Sequence, residues 1–181
     1  MATLLIILSC LLFITASACI WRSIVIAPVL SFLALLSISS ATTAEGYPLL
    51  PVNSTILFAW LSITIVVTVA TIMQPKPLRF TTKGAGYMFI GALAGMAVGL
   101  LGFTFASSLS MVYGIMIVAT ALGCYFGFLL YTNTPEGMPV SSGSGHFFKY
   151  FLAKAFPIAV TVMQFGVVAV LALALYQYGQ G

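Results

Sequence analysis

Residues Thr55 to Met73 read TILFAWLSITIVVTVATIM, an unbroken apolar run with no charged side chain. As a helix it would measure about 28 Å, close to the ~30 Å hydrocarbon thickness of a bilayer. It does not alternate, so it is no strand of a transmembrane barrel. Five further runs have the same character: Met1 to Ile20, Ser23 to about Thr42, about Gly84 to Phe105, about Leu109 to Tyr131, and about Ala155 to Tyr178. The expected fold is an all-α integral membrane protein with six transmembrane helices in a single domain.

Composition agrees. Of 181 residues, 62% are hydrophobic and 4% charged, against roughly 25% charged in soluble domains. Such a chain cannot cover a water-facing surface, and its apolar content excludes disorder. Its six Lys and Arg are too dispersed to track phosphates, so no nucleic acid is expected as a partner.

Position makes those charges informative. Arg22 lies between the first two runs, Lys76, Arg79 and Lys83 between the third and fourth, and Lys149 and Lys154 before the sixth. All fall on one side of a six-span topology, which the positive-inside rule assigns to the cytoplasm. Both termini are then non-cytoplasmic. The first run is also readable as a signal peptide, since Ala16-Ser17-Ala18 before Cys19 resembles a cleavage site. The lack of a basic side chain before it favours a retained helix.

An internal repeat supports retention. Thr43-Ala44-Glu45-Gly46-Tyr47-Pro48 matches Thr134-Pro135-Glu136-Gly137-Met138-Pro139 as T-x-E-G-x-P. Flanking matches keep the same order: Leu11 to Ser17 with Leu100 to Ser107, and Thr71-Ile72-Met73-Gln74 with Thr161-Val162-Met163-Gln164. Repeat one covers about 1–75, repeat two about 84–178, with a basic connector at about 75–83. Three spans per copy is an odd number, so the copies have inverted topology. The arrangement resembles inverted-repeat channels and transporters in architecture alone.

Glu45 and Glu136 are the only acids. At membrane depth, beside helix-breaking Gly and Pro, such carboxylates would hold a cation or carry a proton. Thr43 and Thr134 would add hydroxyls, and Gln164, flanked by apolar residues, a further polar group. In exposed loops the same motifs are ordinary turns. Gly91, Gly95 and Gly99, and Gly123 and Gly127, recur every four residues and mark helix-packing faces or an oligomer interface.

If Gln164 aligns with Gln74, Lys149 and Lys154 approach membrane depth. The stretch from Phe147 to Tyr178 is then too long for one crossing, about 48 Å. It either starts as an interfacial helix or breaks at Pro157.

No enzymatic constellation is present. His146 is the lone histidine, and Ser142 to His146 reads as a Gly/Ser loop. Cys10, Cys19 and Cys124 have no paired spacing. No cofactor and no metal centre is expected. The functional expectation is a small transporter, channel or ion-translocating subunit. It would move a cation, proton or small solute between two inverted halves in a plasma (inner) membrane. The alternative is a non-catalytic anchoring or assembly subunit of a larger complex. Expected partners are the bilayer and further copies or other membrane subunits.

Overall fold

The computed structural model describes residues 2–42, 46–48, 50, 52–76, 82–104 and 108–178. Eight α-helices lie within them: α1 (Ala2–Arg22), α2 (Ala27–Ser39), α3 (Ser54–Ile72), α4 (Ala85–Leu100), α5 (Leu109–Thr132), α6 (Met138–Ser141), α7 (Ser144–Tyr150) and α8 (Phe156–Tyr178). A 3-10 turn, Leu101–Thr104, extends α4, and a π-helical segment, Phe151–Ala155, joins α7 to α8. An isolated bridge pairs Thr42 with Pro48.

Four helical stretches are long and apolar enough to cross a membrane: Thr3–Arg22, Ser54–Ile72, Leu109–Thr132 and Gly145–Tyr176. Their length and apolar composition suit a membrane protein. The helices at Ala27–Ser39 and Ala85–Leu100 are shorter. The 3-10 turn brings α4 to about 32 Å. α2 stays near 20 Å, well inside the expected Ser23 to Thr42. Pro28 sits in its first turn, where a ring without an N–H fits. Before it, Ser23 N–H donates to Cys19 O and Ile26 N–H to Ser23 O, a tight turn out of α1.

Local sequence sets the other boundaries. Asn53 accepts from Thr55 N–H at 3.2 Å and opens α3; Ser108 accepts from Met111 N–H at 3.3 Å and opens α5. Each side chain satisfies a donor that the first turn leaves orphaned. Gly84 precedes α4 with φ +76 and lies against the Tyr131 ring, a place for a residue without Cβ.

The last crossing does not break at Pro157. It runs through as 32 residues, Gly145–Tyr176. The π segment is the reason. Proline removes one N–H and presses on the carbonyl four residues earlier. A wider turn, with Phe156 N–H donating to Phe151 O, absorbs that clash. Cys124 donates to Ala155 O at 3.3 Å and Thr161 to Pro157 O at 2.8 Å, side-chain bonds on either side of Phe156.

α8 is the axis of the bundle and lies against α1, α2, α3, α4 and α5. It contributes Ile158, Val162, Val167 and Val170 to the core. α3 packs on α2, α8 and the π segment. The first and second sets of three long helices are therefore not equivalent in packing, since a strict two-fold relation would bury α3 as α8 is buried. In α3, 22% of the apolar window is buried, against 61% in the last crossing.

α4 and α5 form the closest pair, antiparallel in register. Gly91 faces Gly123, Gly95 faces Ala119, Gly99 faces Met116, and Gly127 faces Tyr87. α1 and α2 form the other hairpin, where Ser9 donates to Ala34 O at 2.9 Å. Trp21 meets Phe89 edge to face at 5.1 Å, and Tyr150 donates to Lys83 O. Those contacts gather Arg22, Lys83 and Lys149 at one end of the bundle.

Candidate functional site

The T-x-E-G-x-P segments adopt different conformations where both are described. Gly137 has φ −89 and leads into α6, with Pro139 in its first turn. Gly46 has φ +86, and Pro48 is bridged to Thr42. Thr43 and Glu45 lie outside the described residues. In the second segment Thr134 donates to Tyr131 O at 2.6 Å and accepts from Gly137 N–H at 3.2 Å. A Cβ on Gly137 would stand 2.7 Å from Thr132 Cα. Thr and Gly are thus dictated by a tight turn after α5. Glu136 is exposed and approaches Lys83 Nζ at 3.9 Å, with side-chain exposures of 64% and 65%. At that exposure the pair is a weak surface contact.

The five predicted glycines come together, all in the α4–α5 seam. A Cβ on Gly95 would overlap Ala119 O and lie 2.9 Å from Ala119 C. One on Gly123 would lie 2.9 Å from Gly95 Cα, and one on Gly127 2.8 Å from Tyr87 C. Helix backbones touch there, the geometry in which Cα–H groups meet carbonyls.

Gln164 is the predicted polar residue that the fold buries completely. It joins three helices. Its Oε1 accepts from Ser31 Oγ on α2, and its Nε2 donates to Thr64 Oγ1 on α3 at 2.7 Å. Thr64 in turn donates to Trp60 O at 2.7 Å, and Ser31 also reaches Pro28 O at 3.1 Å. The proton count orients the amide: Thr64 has its one proton on Trp60 O, so it must accept from the nitrogen. Thr64 stands next to the centre of the 19-residue α3, so the cluster sits near the middle of that helix.

The alignment partner Gln74 behaves differently. It donates to Ala70 O at 3.1 Å and caps its own helix.

Lys154, which the alignment of Gln164 with Gln74 brings toward membrane depth, is absent from the candidate site residues of the sequence. It lies in the π segment and is 1% exposed. Charge patterning puts it on the basic side with Lys149, which is exposed. Lys154 precedes Gln164 by ten residues, about 15 Å along a helix. That is half the hydrocarbon thickness. The face of α3 toward α2, α8 and the π segment carries Thr64, Thr68 and Thr71 at helical spacing. Thr71 is fully buried and donates to Val67 O at 2.7 Å. Thr68 Oγ1 is buried with no hydrogen-bond partner among the described residues. One lysine amine, one amide and four hydroxyls therefore extend from the basic end to the middle of α3 and α8.

At the basic end aromatic rings close over this region. Phe128 and Tyr131 of α5 stack on Tyr150 at 5.9 and 5.8 Å. Among the described residues no group of three His, Cys, Asp or Glu is placed to hold a metal. Comparison of the chain with protein-family models, curated proteins and solved structures finds no match.

Proposed function

We propose that the chain is a small membrane transporter or ion-translocating subunit whose site is the polar seam of α8, α3 and α2. Lys154 carries this reading. An ionisable side chain fully inside the protein, within a helix long and apolar enough to cross a membrane, is costly and by default functional. A π-bulge at the same place is a second mark of a working site. A lysine attracts anions and exchanges protons, and it repels metal cations. The seam therefore suits a proton or a small neutral or anionic solute, with Lys154 as the entry group. Gln164, Ser31 and Thr64 form the mid-bilayer station.

In this reading α2 and α4 complete six crossings in two halves of opposite orientation, with the basic end cytoplasmic. The one-sided basic residues and the collinear sequence matches support it. α3, the less embedded helix, is the element whose movement would open the seam. Glu136 and Thr134 keep a turn role outside the pathway.

Proton flux into proteoliposomes under an imposed potassium diffusion potential, read with an internal pH dye, tests the proposal. Wild type and Glu136→Gln are expected to conduct, and Lys154→Met and Gln164→Leu to fall to the level of empty liposomes. Wild-type flux no higher than that of empty liposomes, or Lys154→Met equal to wild type, would overturn it. The assembly-subunit reading would then stand in its place.

A further inference from the structure

The Tyr150 side chain ties three elements together at the basic end. Its ring is nearly parallel to those of Phe128 and Tyr131 on α5, at 18° and 21°. Its hydroxyl donates to Lys83 O, the carbonyl just before Gly84. Gly84 opens α4 and lies against the Tyr131 ring. α7, the end of α5 and the entrance to α4 are thus closed on one another, and Tyr150 is buried.

α7 itself is short and joined by pliant backbone. It has seven residues. A Cβ on Gly143, just before it, or on Gly145, in its first turn, would meet nothing within 4 Å. Directly after it comes the π segment, the kind of irregular turn at which helices bend. Phe147 and Tyr150 seat α7 on Phe128, while His146, Phe148 and Lys149 are exposed. Lys154 follows Tyr150 by four residues, so the two share a helix face. A helical side chain leans toward the N-terminus, which brings Lys154 back under the Tyr150 turn. Cys124 lies beneath the same rings: it is buried, one turn before Phe128, and donates to Ala155 O.

On the reading of Lys154 as the entry group, we infer that α7 is a lid over it, swinging on the π segment and latched by the Tyr150 hydroxyl on Lys83 O. Thiol labelling tests the lid without any measurement of flux. One reporter is Cys124, left as the sole cysteine by Cys10→Ala with Cys19→Ala. The other is Lys154→Cys in a background without native cysteines. A small water-soluble thiol reagent is applied to the basic side of sealed vesicles. Tyr150→Phe keeps the ring and drops the latch. It is expected to speed labelling of both reporters about fivefold, the worth of one hydrogen bond. Ser9→Ala also removes one buried bond, to Ala34 O, but lies about 20 Å along α1 from Arg22, and should change neither rate. Rates unchanged by Tyr150→Phe, or raised as much by Ser9→Ala, would overturn the inference. Labelling accelerated by Tyr150→Phe alone, in a protein that conducts nothing, would uphold the lid and remove only the transport reading.

Discussion

Gly95→Ala and Gly114→Ala add the same methyl to helices four and five, and the fold predicts opposite outcomes. At Gly95 the new carbon overlaps Ala119 O and lies 2.9 Å from Ala119 C and 3.1 Å from Thr120 Cα. Non-bonded carbons rest at about 3.5–4.0 Å, so the helices must part by the better part of an ångström. The obstruction is backbone, which cannot rotate aside. At Gly114 nothing lies within 4 Å. Both changes gain up to about 1 kcal/mol of helix propensity, so that gain cancels between them. The difference isolates the contact, about 1–3 kcal/mol for overpacking. Unfolding in mixed micelles by increasing dodecyl sulfate measures it, with fluorescence of Trp21, which packs on Phe89 of α4, as reporter. Gly114→Ala should be neutral or slightly stabilising and Gly95→Ala clearly destabilising. Equal midpoints would refute the close approach of α4 to α5.

Three more outcomes follow from the same contacts. Gln164→Leu should cost about 1 kcal/mol or less, because Ser31 and Thr64 each keep a backbone carbonyl; Ser31→Ala with Thr64→Val strands the amide and should cost about 1–3 kcal/mol in the same unfolding assay. Glu136→Gln removes an exposed pair and should leave the unfolding midpoint within about 0.5 kcal/mol of wild type, at low and high salt alike. Gly84→Ala places a methyl 2.6 Å from the Tyr131 ring at φ +76, and should destabilise by about 1–3 kcal/mol with loosened Tyr131 packing in near-ultraviolet dichroism.

The sequence made the long crossings legible because apolar length is a direct physical requirement of the bilayer. It made the α4–α5 seam legible because glycine every fourth residue falls on one helix face. Gln164 stood out as an amide amid apolar neighbours, and its two partners are ordinary Ser and Thr that composition cannot distinguish from others. The charge rule groups Lys154 with the basic side, and the alignment of Gln164 with Gln74 brings Lys149 and Lys154 toward membrane depth alike, although only Lys154 is buried. Its burial depends on the π segment, a response to Pro157 that periodicity does not encode. The T-x-E-G-x-P likeness does not extend to local conformation, for a related reason. A short motif constrains a turn only with its surroundings, and Gly46 and Gly137 take opposite signs of φ in theirs.

In the proposed function the face of α3 turned toward α2, α8 and the π segment carries a polar route that reaches mid-bilayer from the basic end. Single cysteines at Thr71, Thr68 and Thr64, in a background without the native cysteines, test it with a small impermeant thiol reagent applied from each side of sealed vesicles. Glu136→Cys marks the basic side, and Val66→Cys, on the exposed face of α3, marks lipid. The account predicts that positions 71 and 68 react from the side that labels position 136, that position 64 reacts more slowly from that side, and that position 66 stays inert. Positions 71 and 68 as inert as position 66 from both sides would contradict it.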